Sequence, residues 1–147
     1  MILISHRGNI NGRMESWENE PTYIDLAISK GYDVEIDVWY KDGILWLGHD
    51  KPDYVVDFGW FRDRITKFWV HCKNVESLVF FKDFGYDVNY FWHEEDKLTL
   101  TSHNYVWVYP GNQPIKNSIA VLPEMFKDSV SECLGICSDF IEEYKKN

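Results

Sequence analysis

Positive charge is scarce in this chain: 15 Lys and Arg stand against 24 Asp and Glu, a formal net charge of −9. So acidic a protein has no general attraction for a nucleic-acid backbone or an anionic membrane surface, and no nucleic-acid partner is expected. Long apolar runs are missing as well, none approaching the ~20 residues that a membrane span requires. The apolar opening is short and meets His6-Arg7 at once, whereas a secretory signal places its charge before a longer apolar stretch. Cysteine is nearly absent, and Cys72, Cys133 and Cys137 form no CxxC pair. That argues against a thiolate zinc site or redox dithiol and suits a reducing compartment. Repeats, low-complexity tracts and linkers are also lacking. The expectation is one soluble, cytoplasmic domain spanning 1–147.

Aromatic side chains, by contrast, are abundant, at 17% of residues with seven Trp, so many rings must be buried in the core. Period-two alternation or short apolar runs predict strands over 2–5, 33–40, 44–47, 68–72, 88–92, 105–109, 119–122 and 135–138, with a further short one at 55–56. Helices are predicted from Pro21 to the stop at Gly31, as one or two turns over 61–66, and over 75–84, 128–134 and 139–146. Residues 9–20 are polar and aperiodic, a loop. Strands that alternate with helical stretches argue a mostly parallel α/β sheet.

Ionisable groups collect where those strands end. His6 and Arg7 follow the first. Glu35 and Asp37 share one face of the second, because a strand has period two. His49 and Asp50 follow its extension, and His71 and Lys73 share a face of a later one. In parallel α/β folds the carboxyl ends of strands form one rim where sites sit. Two carboxylates on one strand face repel, and a hard divalent cation relieves that; the same spacing also suits a solvated strand face. Imidazoles titrate near neutrality, so His6 and His49 can act as acid and base. The Arg7 fork matches phosphate oxygens. Lys73 can hold a phosphate oxygen, or it can be a surface lysine before a helix. His93 with Glu94 and Glu95 ends another strand and can reach the same rim. Cys72 alternates away from His71 and Lys73 and is expected to pack in the wall.

These residues, in this order, resemble the glycerophosphodiester phosphodiesterase family, a branch of the phospholipase-C-like barrels. The likeness runs to about residue 52 through His6-Arg7-Gly8, Glu18-Asn19, Glu35-Ile36-Asp37, Lys41-Asp42-Gly43 and Gly48-His49-Asp50. It is looser at 70–73 and 135–140. The resemblance implies a compact, reduced TIM-type (β/α)8 barrel with several short or missing helices. It also implies a two-step reaction, in which a neighbouring hydroxyl of the substrate attacks phosphorus and water then opens the cyclic phosphate. By that likeness His6 and His49 exchange acid and base roles, Glu35 and Asp37 hold the metal, and Arg7 with Lys73 binds phosphate. Glu18, Asp50 and His93 are additional candidates.

Two features depart from the family pattern. His71 stands where the family has a third carboxylate ligand, so Mg²⁺ or Ca²⁺ competes with Mn²⁺ or Zn²⁺ as the expected cation, or metal binding is weakened. The chain is also short against the ~250 residues typical of such barrels, and an open or half barrel completed as a homodimer is the alternative. The substrate is expected to be a phosphodiester, small or polymeric. Rival readings are a phosphate-binding module without catalysis, and a metal-independent lyase that stops at the cyclic product.

Overall fold

Strand-forming alternation and well-capped short helices organise the computed structural model, which describes residues 1–145; Lys146, at the end of the expected terminal helical stretch, and Asn147 lie outside the described residues. The elements are β1 (Ile2–His6), α1 (Pro21–Ser29), β2 (Asp33–Lys41), β3 (Ile44–Leu47), β4 (Tyr54–Val56), α2 (Phe58–Asp63), β5 (Phe68–Cys72), α3 (Val75–Asp83), β6 (Tyr90–Phe91), β7 (Leu98–Leu100), β8 (Val106–Val108), β9 (Ile119–Val121), β10 (Gly135–Ser138) and α4 (Ile141–Lys145). Pro21 opens α1, and the Glu20 side chain accepts a hydrogen bond from Tyr23 N. Asn74 caps α3 in a reciprocal exchange with Ser77. Caps of this kind satisfy backbone donors that a short helix otherwise leaves unpaired.

All ten strands join one mixed sheet. Its parallel part runs β8-β9-β10-β1-β2-β5-β6. β3 and β4 extend β2 as antiparallel strands, and β7 pairs antiparallel with β8. The sheet curls and so divides the core in two. Val34, Ile36 and Val38 of β2 face the helices, with Ile24, Phe61, Phe68 and Phe81 around them. On the concave side Ile4, Trp69, Phe91, Trp107, Ile119, Val121 and Cys137 form a separate cluster. Trp69 and Trp107 meet at 5.7 Å between ring centroids, and Phe91 and Trp107 at 4.8 Å. Since β5 and β8 are not neighbours in the sheet, these rings reach across the hollow and plug its floor.

The expected (β/α)8 barrel is therefore corrected: the fold is a mixed α/β half-barrel with four helices among the described residues. No ladder joins β6 to β7 or β8. Isolated hydrogen bonds cross the gap instead, among them Ser102 N to Tyr90 O (2.8 Å), Tyr90 N to Ser102 Oγ (2.9 Å), Ser102 Oγ to Val88 O (2.8 Å) and Thr99 Oγ1 to Trp92 O (3.1 Å). Chain length is the physical reason. The route from β6 to β8 is made by the antiparallel β7, and those from β8 to β9 and β9 to β10 carry no α-helix. The expected helix at 128–134 is absent, a 3-10 turn at Pro123–Met125 lying upstream instead. β7 was not predicted at all, because Leu98-Thr99-Leu100 is too short to show a period.

Phe61 is fully buried, with its ring 5.4 Å from those of Phe68 and Phe81. Phe61→Ala is expected to cost about 3–5 kcal/mol. Denaturant unfolding checks this: the midpoint should fall with an unchanged slope.

Candidate active site

The polar rim starts from backbone conformation at the end of β1. Arg7 adopts φ 58° and Gly8 φ 97°. A side chain at Gly8 would place its Cβ 2.5 Å from the Tyr23 ring, so only glycine fits there. Arg7 N donates to Glu35 O, and Asn19 N to Arg7 O, each at 3.0 Å. Asn19 is itself left-handed, at φ 65°, a conformation its short polar side chain tolerates. These turns aim Arg7 and Asn19 at the concave end of β2.

Asp37 is wholly buried there. Asn19 Nδ2 donates to its Oδ2 at 2.9 Å, and Asp37 N donates back to Asn19 Oδ1 at 2.9 Å. Arg7 Nε lies 3.0 Å from Oδ2 and His71 Nδ1 3.1 Å from Oδ1. Burial alone would raise its pKa, but contact with His71 and the Arg7 charge outweigh burial and hold it well below the ordinary carboxylate range. Glu35, equally buried, goes the other way: burial first, then the Asp37 charge, push it well up, only partly opposed by Arg7 and Lys73. One strand thus carries two carboxylates whose environments split them.

Glu35, Asp37 and His71 offer donor atoms within 4.8 Å of one another. Glu35 Oε2 and Asp37 Oδ1 are buried and make no hydrogen bond. His71 Nε2 lies 3.0 Å from the His93 carbonyl oxygen and must donate to it. A ring that also carries a proton on Nδ1 donates to Asp37 Oδ1, and this is the contact that depresses Asp37; in a neutral ring the Nδ1 lone pair faces Oδ1 instead, a repulsion that a cation between them would relieve. Orphaned acceptors turned toward one another fit a cation, and a backbone carbonyl that fixes the tautomer is the usual outer support of a histidine ligand. Two carboxylates and one imidazole suit Mg²⁺ or Mn²⁺. A second group of suitable spacing, His6, Glu18 and Asp139, is already served by protein donors. Asn9 Nδ2 donates to both Glu18 Oε2 and Asp139 Oδ1 at 2.8 Å, and His6 Nδ1 to Asp139 Oδ1 at 2.7 Å.

Of the predicted residues, His6, Arg7, Glu35, His49, His71, Lys73 and His93 line one cavity of about 1110 Å³. Asp37 lies beneath it. Glu18 stands behind Arg7, at 3.7 Å from its Nη1. Asp50 is at the outer edge, its Oδ1 2.8 Å from His49 Nδ1. Burial, then the Arg7 charge, lower the pKa of His49. Its ring remains 44% exposed. Cys72 is buried in the wall, and desolvation pushes its thiol up to about 12, which makes it inert.

Sequence reasoning missed Asp139, Asn9 and Asn19. Asp139 holds His6 Nδ1. Burial alone would raise it, but the His6 hydrogen bond overrides that and keeps it below the usual range. Its place directly after β10, matching that of the other rim residues after their strands, is the signal that could have found it. Asn19 lies inside the Glu18-Asn19 motif but had no strand register to give it a partner.

The split carboxylates set opposite stability trends. Asp37 contributes stability above the ordinary Asp pKa, lost as pH falls through its depressed folded value. Glu35 favours the fold below the ordinary Glu pKa and loses that as pH rises through its raised value. At pH 7 with chelator, Asp37→Asn is expected to cost about 3–5 kcal/mol, whereas Glu35→Gln should raise the unfolding midpoint. A lowered midpoint for Glu35→Gln in thermal melts would contradict this. Comparison with protein-family models, curated proteins and solved structures finds no match to the chain.

Proposed function

We propose that this protein is a metal-dependent phosphodiesterase using His6 and His49 as its acid-base pair. One observation carries the reading. Two imidazoles, each tethered through Nδ1 to a carboxylate, line the same cavity as Arg7 and Lys73, above orphaned oxygens of Glu35 and Asp37. Donation from Nδ1 to Asp139 or Asp50 fixes the tautomer and leaves Nε2 as the working atom of each ring. Such a pair suits phosphodiester cleavage, in which an attacking hydroxyl must lose a proton and a leaving alkoxide must gain one. The resemblance noted above supplies the expected sequence. The first bond to phosphorus forms from a neighbouring substrate hydroxyl as the alcohol departs. Water then opens the cyclic phosphate, with the two histidines exchanging roles. Arg7 and Lys73 hold phosphate oxygens and oppose the charge that develops on them. Glu35, Asp37 and His71 would hold a divalent cation, which adds electrophilic stabilisation of the same oxygens.

A metal-free reading has its own observation: Asp37 Oδ2 is already met by Arg7 and Asn19, and a second proton on His71 would satisfy Oδ1. A lyase or a phosphate-binding module would follow from it.

Phosphorus NMR of glycerophosphodiesters and an aryl phosphodiester, with Mg²⁺, Mn²⁺, Ca²⁺, Zn²⁺ or chelator, separates these. The enzyme reading expects metal-dependent turnover that drops about 10²–10⁴-fold in His6→Ala and in His49→Ala. Asp139→Asn should lower turnover by up to ~10⁴-fold with little change in phosphate binding, through loss of the correct tautomer. Cyclic product persisting in chelator supports the lyase, and phosphate binding without turnover the module. The acid limb of kcat/KM should lie below about pH 6.5, the ordinary histidine value, because His49 must be deprotonated to accept a proton. Asp50→Asn removes a hydrogen bond that raises His49, so a pH-rate profile should show that limb moving further down.

A further inference from the structure

On the β6–β8 side of the cavity the wall changes character. Phe91, Trp107 and Tyr109 of the β6–β8 side line it, together with Val121 and Met125. His93 stands within this wall, its side chain only 6% exposed and its ring 5.1 Å from that of Tyr109 and 6.2 Å from that of His71. Both ring nitrogens are closed off from solvent and without a hydrogen-bond partner, so a ligand reaches them only by displacing a neighbouring side chain; the carboxylate of Asp96 has its Oδ2 3.8 Å from Nδ1. Its main chain serves the proposed metal centre by accepting from His71 Nε2. Its side chain packs beside Tyr109 but makes no hydrogen bond in the protein.

A buried polar group without a partner is costly, and most such groups are satisfied. An imidazole with no counter-ion in hydrogen-bonding reach presents one N–H and one lone pair. A phosphate oxygen can meet only the first and an ammonium only the second. A hydroxyl both accepts and donates, and neighbouring hydroxyls can meet both. The surrounding faces are aromatic and apolar, and Tyr109 is 47% exposed. Glu94, Glu95 and Asp96 border the opening and repel an anionic alcohol. The cavity, at about 1110 Å³, exceeds the roughly 300–1,000 Å³ of ordinary small-molecule pockets. A sugar ring has an apolar C–H face for the aromatic wall and hydroxyls at its edge for the imidazole.

The geometry points to His93 as the specificity residue for the alcohol of the phosphodiester, a sugar ring stacked on Tyr109 and hydrogen-bonded by the His93 imidazole. This rests on the phosphodiesterase reading for its placement beside the phosphate site, but its test does not require turnover. Imidazole-labelled protein in Mg²⁺ buffer is titrated with glucose 1-phosphate, phenyl phosphate or choline phosphate, and the His93 signal is assigned by its loss in His93→Gln. That signal should shift saturably with glucose 1-phosphate and stay in place with the other two. His93→Phe should weaken glucose 1-phosphate binding about 10- to 100-fold, leaving phenyl phosphate unchanged, while His93→Gln, which keeps a donor and an acceptor, should recover part of the loss. If His93→Phe does not fold, the wild-type titration decides alone. An unmoved His93 signal, an equal response to phenyl phosphate, or a stronger response to choline phosphate overturns the proposal. A His93 response in a protein without turnover overturns the catalytic reading and leaves the sugar subsite standing. Turnover without that response does the reverse.

Discussion

The burial of Asp37 is the constraint on which the rest of the rim depends. A carboxylate removed from water is tolerable only when its charge is met at close range, and the structure meets this one from three chain segments. Arg7 arrives through a left-handed turn after β1, Asn19 through another before α1, and His71 from the neighbouring strand β5. Each partner is thereby held in a fixed place. Arg7 sets its Nε against Asp37 and its Nη1 near Glu18 while lining the cavity; His71 is held between Asp37 and the His93 carbonyl. Glu35, two residues earlier on the same face, has no such partners and is pushed toward its neutral form.

Period two accounts for the layering of the hollow. Along the rim strands an apolar residue is followed two positions later by a polar one: Ile4 and His6 at β1, Trp69 and His71 at β5, Phe91 and His93 at β6, Trp107 and Tyr109 at β8, Cys137 and Asp139 at β10. The first members pack into the aromatic floor, the second stand at the mouth. A dry floor beneath an ionisable rim strengthens every charge interaction above it. The Trp-rich composition therefore belongs to the site as much as to the fold.

Local periodicity makes much of this legible in the sequence. The shared face of Glu35 and Asp37, the strand carrying His71 and Lys73, and the hairpin that delivers His49 are all readable from alternation and turn residues, and the structure brings these groups to one cavity. What local pattern does not carry is pairing between distant segments. Asp139 becomes a partner of His6 only because β10 lies beside β1, and nothing within 135–139 announces that neighbour. β7 is three residues long, and the polar loop at 128–134 resembles a helix in composition while its backbone does not adopt one. The (β/α)8 expectation has the same root. Strands alternating with helices imply a repeated unit, and a chain of this length replaces the later units with a strand and loops.

The shortfall in closure leaves the proposed chemistry intact, because register rather than closure positions the rim. β10-β1-β2-β5-β6 form an unbroken parallel ladder, in which His6 pairs with Glu35, Asp37 with His71, and His71 with Phe91. Sliding β2 by one residue against either neighbour would turn both its acids toward the helices and its valines toward the cavity, so burial of Val34, Ile36 and Val38 locks the very register that assembles the polar cluster. The gap falls between β6 and β7, next to His93 and on the side away from that ladder's acidic centre. Hence the rigid part of the sheet holds the ionisable groups, and the part with the fewest backbone bonds borders the wall assigned to the alcohol. A half-barrel divided in this way can vary its alcohol pocket through the β6–β8 segment without disturbing the pairing that sets His6, Glu35, Asp37 and His71.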